Sequence, residues 1–207
     1  MSTQDFVRAA RGSDAVHLAR IQVDCWRQGY AGIIPDAVLA ELTSDDALGQ
    51  WQERWAEAVS KPPTRRHQVL VASAGPAAAP GGAGSGMTAG GGAPGQRTAR
   101  MVAGFASAGP ASDPDRWPAT DAELYELRIA PGLTGHGHGG RLLNAVADTL
   151  AGEGFSRVSA WVLEADTALR GFLESAGWAA DGARSQLDMG VRVPIVRLHA
   201  ALEALPG

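Results

Sequence analysis

Two periods alternate along the chain. Ala15, Leu18, Ile21, Gln22 and Cys25 recur every three or four residues, and so do Leu48, Trp51, Trp55 and Val59; this spacing lines one face of a helix. A third, shorter helical stretch between them starts at Pro35-Asp36 and carries Val38, Leu39 and Leu42. Ser13 or Asp14, and Ser44 or Asp45, supply the capping residues. Elsewhere the pattern tightens into short runs rich in Val, Leu and Ile: Phe6 to Ala10, His67 to Ser73, Met101 to Ala108, Glu123 to Ile129 and Arg157 to Leu163, with weaker runs at Ser185 to Met189 and Val193 to His199. These predict strands. Two more helices follow, one carrying Leu142, Leu143, Val146, Ala147 and Leu150, the other capped by Asp166 and carrying Leu169, Phe172 and Leu173.

The predicted order is therefore strand, helices, three strands, helix, strand, helix, two strands. Short connections between the second, third and fourth strands imply an antiparallel meander. The strand–helix–strand from Glu123 to Leu163 implies a parallel right-handed crossover. The expected fold is α/β, a mixed, mostly antiparallel central sheet. The 207 residues suit one domain. From Ala74 to Gly95, 19 of 22 residues are Gly, Ala or Pro, too little side chain to offset the entropy of ordering. That stretch, extending to about residue 100, reads as a flexible insertion between two strands.

Composition narrows the function. A net charge of −4 offers no basic footprint for nucleic acid or for an anionic membrane. One cysteine, Cys25, rules out an internal disulfide framework and a cysteine-rich metal site, and it reads as a small buried hydrophobe. No apolar run approaches membrane-spanning length and the first residues lack a signal-peptide pattern, so a cytoplasmic protein is expected.

The chemistry concentrates between Glu123 and Leu150. Gly135, Gly137, Gly139 and Gly140 crowd the junction of a strand and a helix, where backbone N–H groups are free to face a phosphate. A P-loop is excluded because Arg141-Leu142 follows the glycines where Lys-Ser/Thr is required. Gly135, Gly137 and Gly140 satisfy G-x-G-x-x-G, with Glu164 ending the next strand, as a dinucleotide-dependent oxidoreductase would have. Against that, Ala130 to Thr134 separate the glycines from their strand, and too little chain remains for a further parallel half. His136 and His138 alone do not make a metal site, which needs three or four placed ligands, so no metal is expected.

Pro131-x-x-x-Gly135-x-Gly137-x-Gly139, followed by Leu142-Leu143, resembles the coenzyme A loop of the GNAT superfamily of N-acetyltransferases, with Thr134 where that family prefers Gln or Arg. Trp161 to Trp178, WVLEADTALRGFLESAGW, resembles a second block of the same family, with Asp166 in place of its Asn and Leu173 in place of its Tyr.

The resemblance implies a GNAT-like sheet with helices on both faces and transfer of an acetyl group from acetyl-CoA to the amine of a small molecule or peptide. Dimers, common in that family, are implied as an option; an acyl-CoA-binding relative without transfer activity is the alternative. It also implies site residues. Thr134, Gly135, His136, Gly137, His138, Gly139, Gly140 and Arg141 would hold the pyrophosphate, with Leu127, Ile129 and Asp166 also on the cofactor. A bulged fourth strand, matched by Leu127 to Ile129, would aim a backbone N–H at the thioester carbonyl. Glu123 is the leading base, and Glu126, expected on the opposite strand face, is second. Trp26, Tyr30 and Trp117 are expected to line the acceptor pocket. With Leu173 at the tyrosine position, no dedicated acid is expected; a thiol of pKa about 8.5 leaves without one.

Overall fold

The computed structural model describes residues 6–75 and 101–202; the Gly/Ala/Pro-rich stretch lies outside them from residue 76 onward. Ala74, assigned above to that stretch, is instead the last residue of a strand and fully buried. The strands are β1 (Phe6–Ala9), β2 (Gln68–Ala74), β3 (Met101–Pro110), β4 (Asp121–Ile129), β5 (Arg157–Leu163), β6 (Ala179–Asp188) and β7 (Arg192–Ala201). The helices are α1 (Ala15–Gly29), α2 (Asp36–Leu42), α3 (Asp45–Ser60), α4 (His138–Gly152) and α5 (Thr167–Ser175). The strands form one sheet in the order β1-β2-β3-β4-β5-β7-β6. Every pairing is antiparallel except β4 with β5.

Each face of the sheet is covered. Leu142, Leu143, Val146 and Leu150 of α4 and Leu173 of α5 pack on Leu70, Ala106, Leu124, Leu127, Val158 and Leu198. On the other face, Leu18 and Ile21 of α1 and Trp55 of α3 meet Val71 and Phe105. The end of α1 and α2 cover the far half, where Trp26, Tyr30 and Ile34 meet Leu163, Val193 and Ile195. Burying a residue such as Phe105 or Leu18 completely is worth about 1.5–3 kcal/mol.

The helix starts follow their side-chain chemistry at two of three expected places. Ser44 accepts from Ala47 N–H, and Asp166 from Leu169 N–H. Asp14 does not cap α1: its carboxylate takes Arg8 at 2.7 and 2.9 Å and the Arg11 N–H at 2.7 Å. It closes the β1–α1 corner instead.

Candidate active site

β4 and β5 lie side by side only at their first three residues, Asp121–Glu123 against Arg157–Ser159. Beyond Glu123, β4 continues along β3 and β5 along β7, so a wedge opens between them. Ala130 N–H donates to Ala103 of β3 at 2.8 Å. Backbone polar groups alternate sides along a strand, so the N–H groups of Leu127 and Ile129 face the wedge. The Cys25 thiol confirms the direction by donating to the Ile129 carbonyl at 3.2 Å. Cys25 is thus half-buried and hydrogen-bonded rather than a plain hydrophobe; burial pushes its pKa up to about 11, so it stays a thiol.

The bulge sits at Tyr125. β3 pairs Ser107 with Glu126 and Ala108 with Leu124, leaving Tyr125 as the extra residue. Ala122 and Leu124 before it, and Leu127 and Ile129 after it, all enter the cluster beneath α4 and α5. The extra residue therefore shifts the alternation, and Glu126 joins Glu123 on the α1 face. This corrects the expectation that the two carboxylates oppose each other. It also moves the bulge ahead of Leu127–Ile129, the stretch it was expected to occupy.

The two carboxylates have different partners. Glu123 Oε2 accepts from Ser112 N–H at 3.2 Å and Ser112 Oγ at 2.9 Å, and Oε1 has no partner among the described residues. Both oxygens of Glu126 are engaged: Oε1 by Gln22 Nε2 at 3.0 Å, Oε2 by Arg128 Nε at 2.8 Å. Burial opposes the Arg128 charge, but Glu126 and Tyr30 outweigh it and hold the guanidinium above its ordinary pKa. Arg128 Nη2 reaches the Tyr30 hydroxyl at 3.5 Å. Burial also raises the Tyr30 pKa, keeping the phenol protonated.

The glycine turn leads from Pro131 into α4. Gly135 and Gly137 both have φ of +78°, a left-handed conformation that a side chain would strain. Gly139 sits in tight space, since a Cβ there would lie 3.3 Å from the Phe172 ring. Gly140 has neither constraint. The N–H groups of His138, Gly139 and Gly140 begin α4 and have no helical acceptor. The helix dipole adds partial positive charge there. Arg141 folds back over the turn, its Nη2 donating to the His136 carbonyl at 3.1 Å and to His138 Nδ1 at 3.0 Å. The His136 ring stays exposed and bonds the Thr134 carbonyl through Nδ1 at 2.9 Å. The His138 ring is buried, so its contribution to a ligand is its main-chain N–H.

Tyr30 lies at the mouth of the wedge, packed in one cluster with Leu163 of β5 and stacked on Trp26 with ring centroids 5.7 Å apart. Trp26 is itself buried and meets Trp51 edge-on. Trp117 stands 70% exposed in the β3–β4 loop, its N–H on Asp121 at the closed start of β4. Asp166 ends the β5 side of the wedge and spends one oxygen capping α5. Leu173 is fully buried under the sheet. Gln22, Ser112 and Arg128 are site residues that sequence reasoning missed. Arg128 carried a signal, as the charged position between Leu127 and Ile129; Ser112 carried none. Among the described residues, no group of three His, Cys, Asp or Glu could hold a metal ion, and no helix is long and apolar enough to cross a membrane.

The described residues thus form a mixed sheet whose fourth and fifth strands part beside a glycine-rich helix start. Residues 92–178 match the model of the acetyltransferase (GNAT) family. Among curated proteins it is 28% identical over 158 residues to the uncharacterized N-acetyltransferase YuaI of Bacillus subtilis, covering 76% of this chain and 71% of that one. Among solved structures it is similar to the PaiA N-acetyltransferase of Thermoplasma acidophilum in complex with coenzyme A, with TM-score 0.61, 16% identity and 94% and 98% of the two chains covered. YncA of Salmonella typhimurium with its cofactor acetyl-CoA gives TM-score 0.59 at 16% identity, covering 99% and 98%.

Proposed function

We propose that the chain transfers an acetyl group from acetyl-CoA to the amine of a small molecule or peptide. The observation that carries this reading is the wedge beyond Glu123, whose open β4 edge leads directly to the amide cradle of α4. The cradle fits a pyrophosphate: a helix start whose first N–H groups lack helical acceptors, two left-handed glycines and little room for a side chain at Gly139. The complexes of the PaiA and YncA structures with coenzyme A and acetyl-CoA support the choice of ligand.

When bound, acetyl-CoA supplies the thioester. The Leu127 N–H, fixed by the strand and facing the wedge, stabilises negative charge on a carbonyl oxygen placed there. Glu123, with Oε2 steadied by Ser112 and Oε1 without a partner among the described residues, takes a proton from the acceptor's ammonium, directly or through water, so that the neutral amine attacks. Glu126 is tied on both oxygens and serves to place Arg128 and Gln22. The buried Leu173 gives no proton, and the thiolate leaves unaided.

That same Leu173 favours a second reading, a protein that binds acyl-CoA without transferring it. Incubating the protein with acetyl-CoA and an amine panel separates the two. Amine-dependent release of free thiol supports transfer; thermal protection by acetyl-CoA with no thiol release supports binding alone.

A further inference from the structure

Two arginines project from the sheet with little exposure, and their partners differ. Arg197, with a side chain 5% exposed, is saturated: Nε meets Asp181 at 2.9 Å, Nη1 meets Asp113 at 2.9 Å and Asp115 at 2.7 Å, and Nη2 meets Asp115 at 2.6 Å. Arg128, 16% exposed, has only its Nε in close contact, with Glu126. Its Nη2 has one long contact with Tyr30, and its Nη1 has no partner among the described residues. The Tyr30 hydroxyl accepts that contact, and its own hydrogen has no acceptor there. Arg128 Nη1 is not among the fully buried polar atoms that lack a partner, so it stays reachable from solvent, and an open guanidinium edge inside a fold requires a reason.

Their place supplies one. Arg128 lies between Leu127 and Ile129, the residues whose backbone faces the wedge, but its side chain points to the α1 side. Tyr30 closes that side from across the wedge, against Leu163 of β5. The ion pair with Glu126 is made at Nε, which leaves the Nη edge with no close partner among the described residues. A guanidinium fork matches a carboxylate, two N–H groups to two oxygens. Glu123, on the same face of β4, provides the opposite charge for an ammonium. The mouth is complementary to a zwitterion: a cation toward Glu123, an anion toward Arg128.

Resting on the reading that the chain acetylates amines, we propose that the acceptor carries a carboxylate within a few carbons of its amine, held by Arg128 and Tyr30. The acceptor class is then amino acids rather than simple amines or polyamines.

The test compares amino acids with their carboxamides, measuring kcat/KM from free thiol in wild type, Arg128→Gln and Tyr30→Phe. Wild type should favour the acids by about tenfold or more. In Arg128→Gln the acid-to-amide ratio should fall to about one, and Tyr30→Phe should lower the ratio in the same direction without touching the Glu126 pair. Carboxamides used as well as acids by wild type, or an unchanged ratio in both variants, would overturn the proposal. Calorimetry on the coenzyme A-loaded protein decides it independently of turnover. Acids binding wild type more tightly than carboxamides, with that difference lost in Arg128→Gln, support it; equal binding of acids and carboxamides, or binding of neither, overturns it. Absence of turnover with every amine would contradict acetyl transfer alone.

Discussion

Glu123 and Glu126 stand on the same face of β4 although three positions separate them, because Tyr125 is an extra residue between them. A regular strand would have sent one of them under α4. The bulge instead gives the wedge two carboxylates, one with an oxygen that has no partner among the described residues and one tied on both. Glu123→Gln should lower kcat by roughly a hundredfold with little change in melting temperature. Glu126→Gln should lower the melting temperature and raise KM for the acceptor, because it removes the charge opposite Arg128 and sets an amide NH2 against either Arg128 or Gln22. Steady-state kinetics with parallel thermal melts check both, and equal losses of kcat would reverse the assignment.

The glycines around the wedge should respond differently to alanine. At Gly104 a Cβ would lie 2.5 Å from the Arg128 carbonyl oxygen and 2.6 Å from Ile129 Cδ1. Backbone cannot retreat there without breaking the β3–β4 ladder, so Gly104→Ala should cost about 2–3 kcal/mol. Gly137→Ala must hold a φ of +78°, costing about 1–2 kcal/mol, and should weaken coenzyme A binding. Gly140→Ala meets nothing within 4 Å inside α4, and should stabilise by about 0.5–1 kcal/mol. Chemical denaturation of the three variants gives the ranking.

Arg197 joins four elements. It holds Asp113 and Asp115 of the β3–β4 loop and Asp181 of β6, while Asp113 also accepts from Trp161 Nε1 of β5 at 2.9 Å. Arg197→Met leaves Asp113 and Asp115 without their cation, while Asp181 keeps Arg116, and should lower the melting temperature. Since Ser112 adjoins Asp113 and steadies Glu123, kcat should fall as well. Thermal melts and kinetics on the same preparation test both effects.

Stability should also weaken in acid for a specific reason. Hydrogen bonds from Arg8 hold the Asp14 carboxyl below its usual range, against the cost of burial. A lowered folded-state pKa contributes stability that is present above about pH 4 and is lost as pH falls through the lowered value. Asp14→Asn should therefore melt lower than wild type at neutral pH, and the gap should narrow steadily below about pH 4. A gap independent of pH would show that the Arg8 pair does not carry the effect.

The parts of this molecule that obey a local period were legible in the sequence. α4 and α5 show their buried stripes, β5 its continuous apolar run, and Ser44 and Asp166 their caps. β6 was half missed, because it lies at the sheet edge with nearly every residue exposed and has no apolar pattern to read. The face of Glu126 could not be read either. It depends on how β3 and β4 pair, a relation between residues about twenty positions apart. Asp14 looked like a cap and proved to be an ion-pair partner, since only the folded corner brings Arg8 to it. The glycine cradle was legible because its requirement, backbone without side chains at a helix start, is written in residue type. The wedge mouth was not, because Gln22, Arg128 and Tyr30 meet only after α1 crosses β4.

The most direct test is acetyl transfer itself, followed as free thiol and N-acetylated product with acetyl-CoA and an amino-acid acceptor. Thiol should appear only when both substrates are present, in step with product, and should fall roughly a hundredfold in Glu123→Gln. Tight acetyl-CoA binding with no thiol above the blank for any amine would contradict the transferase assignment.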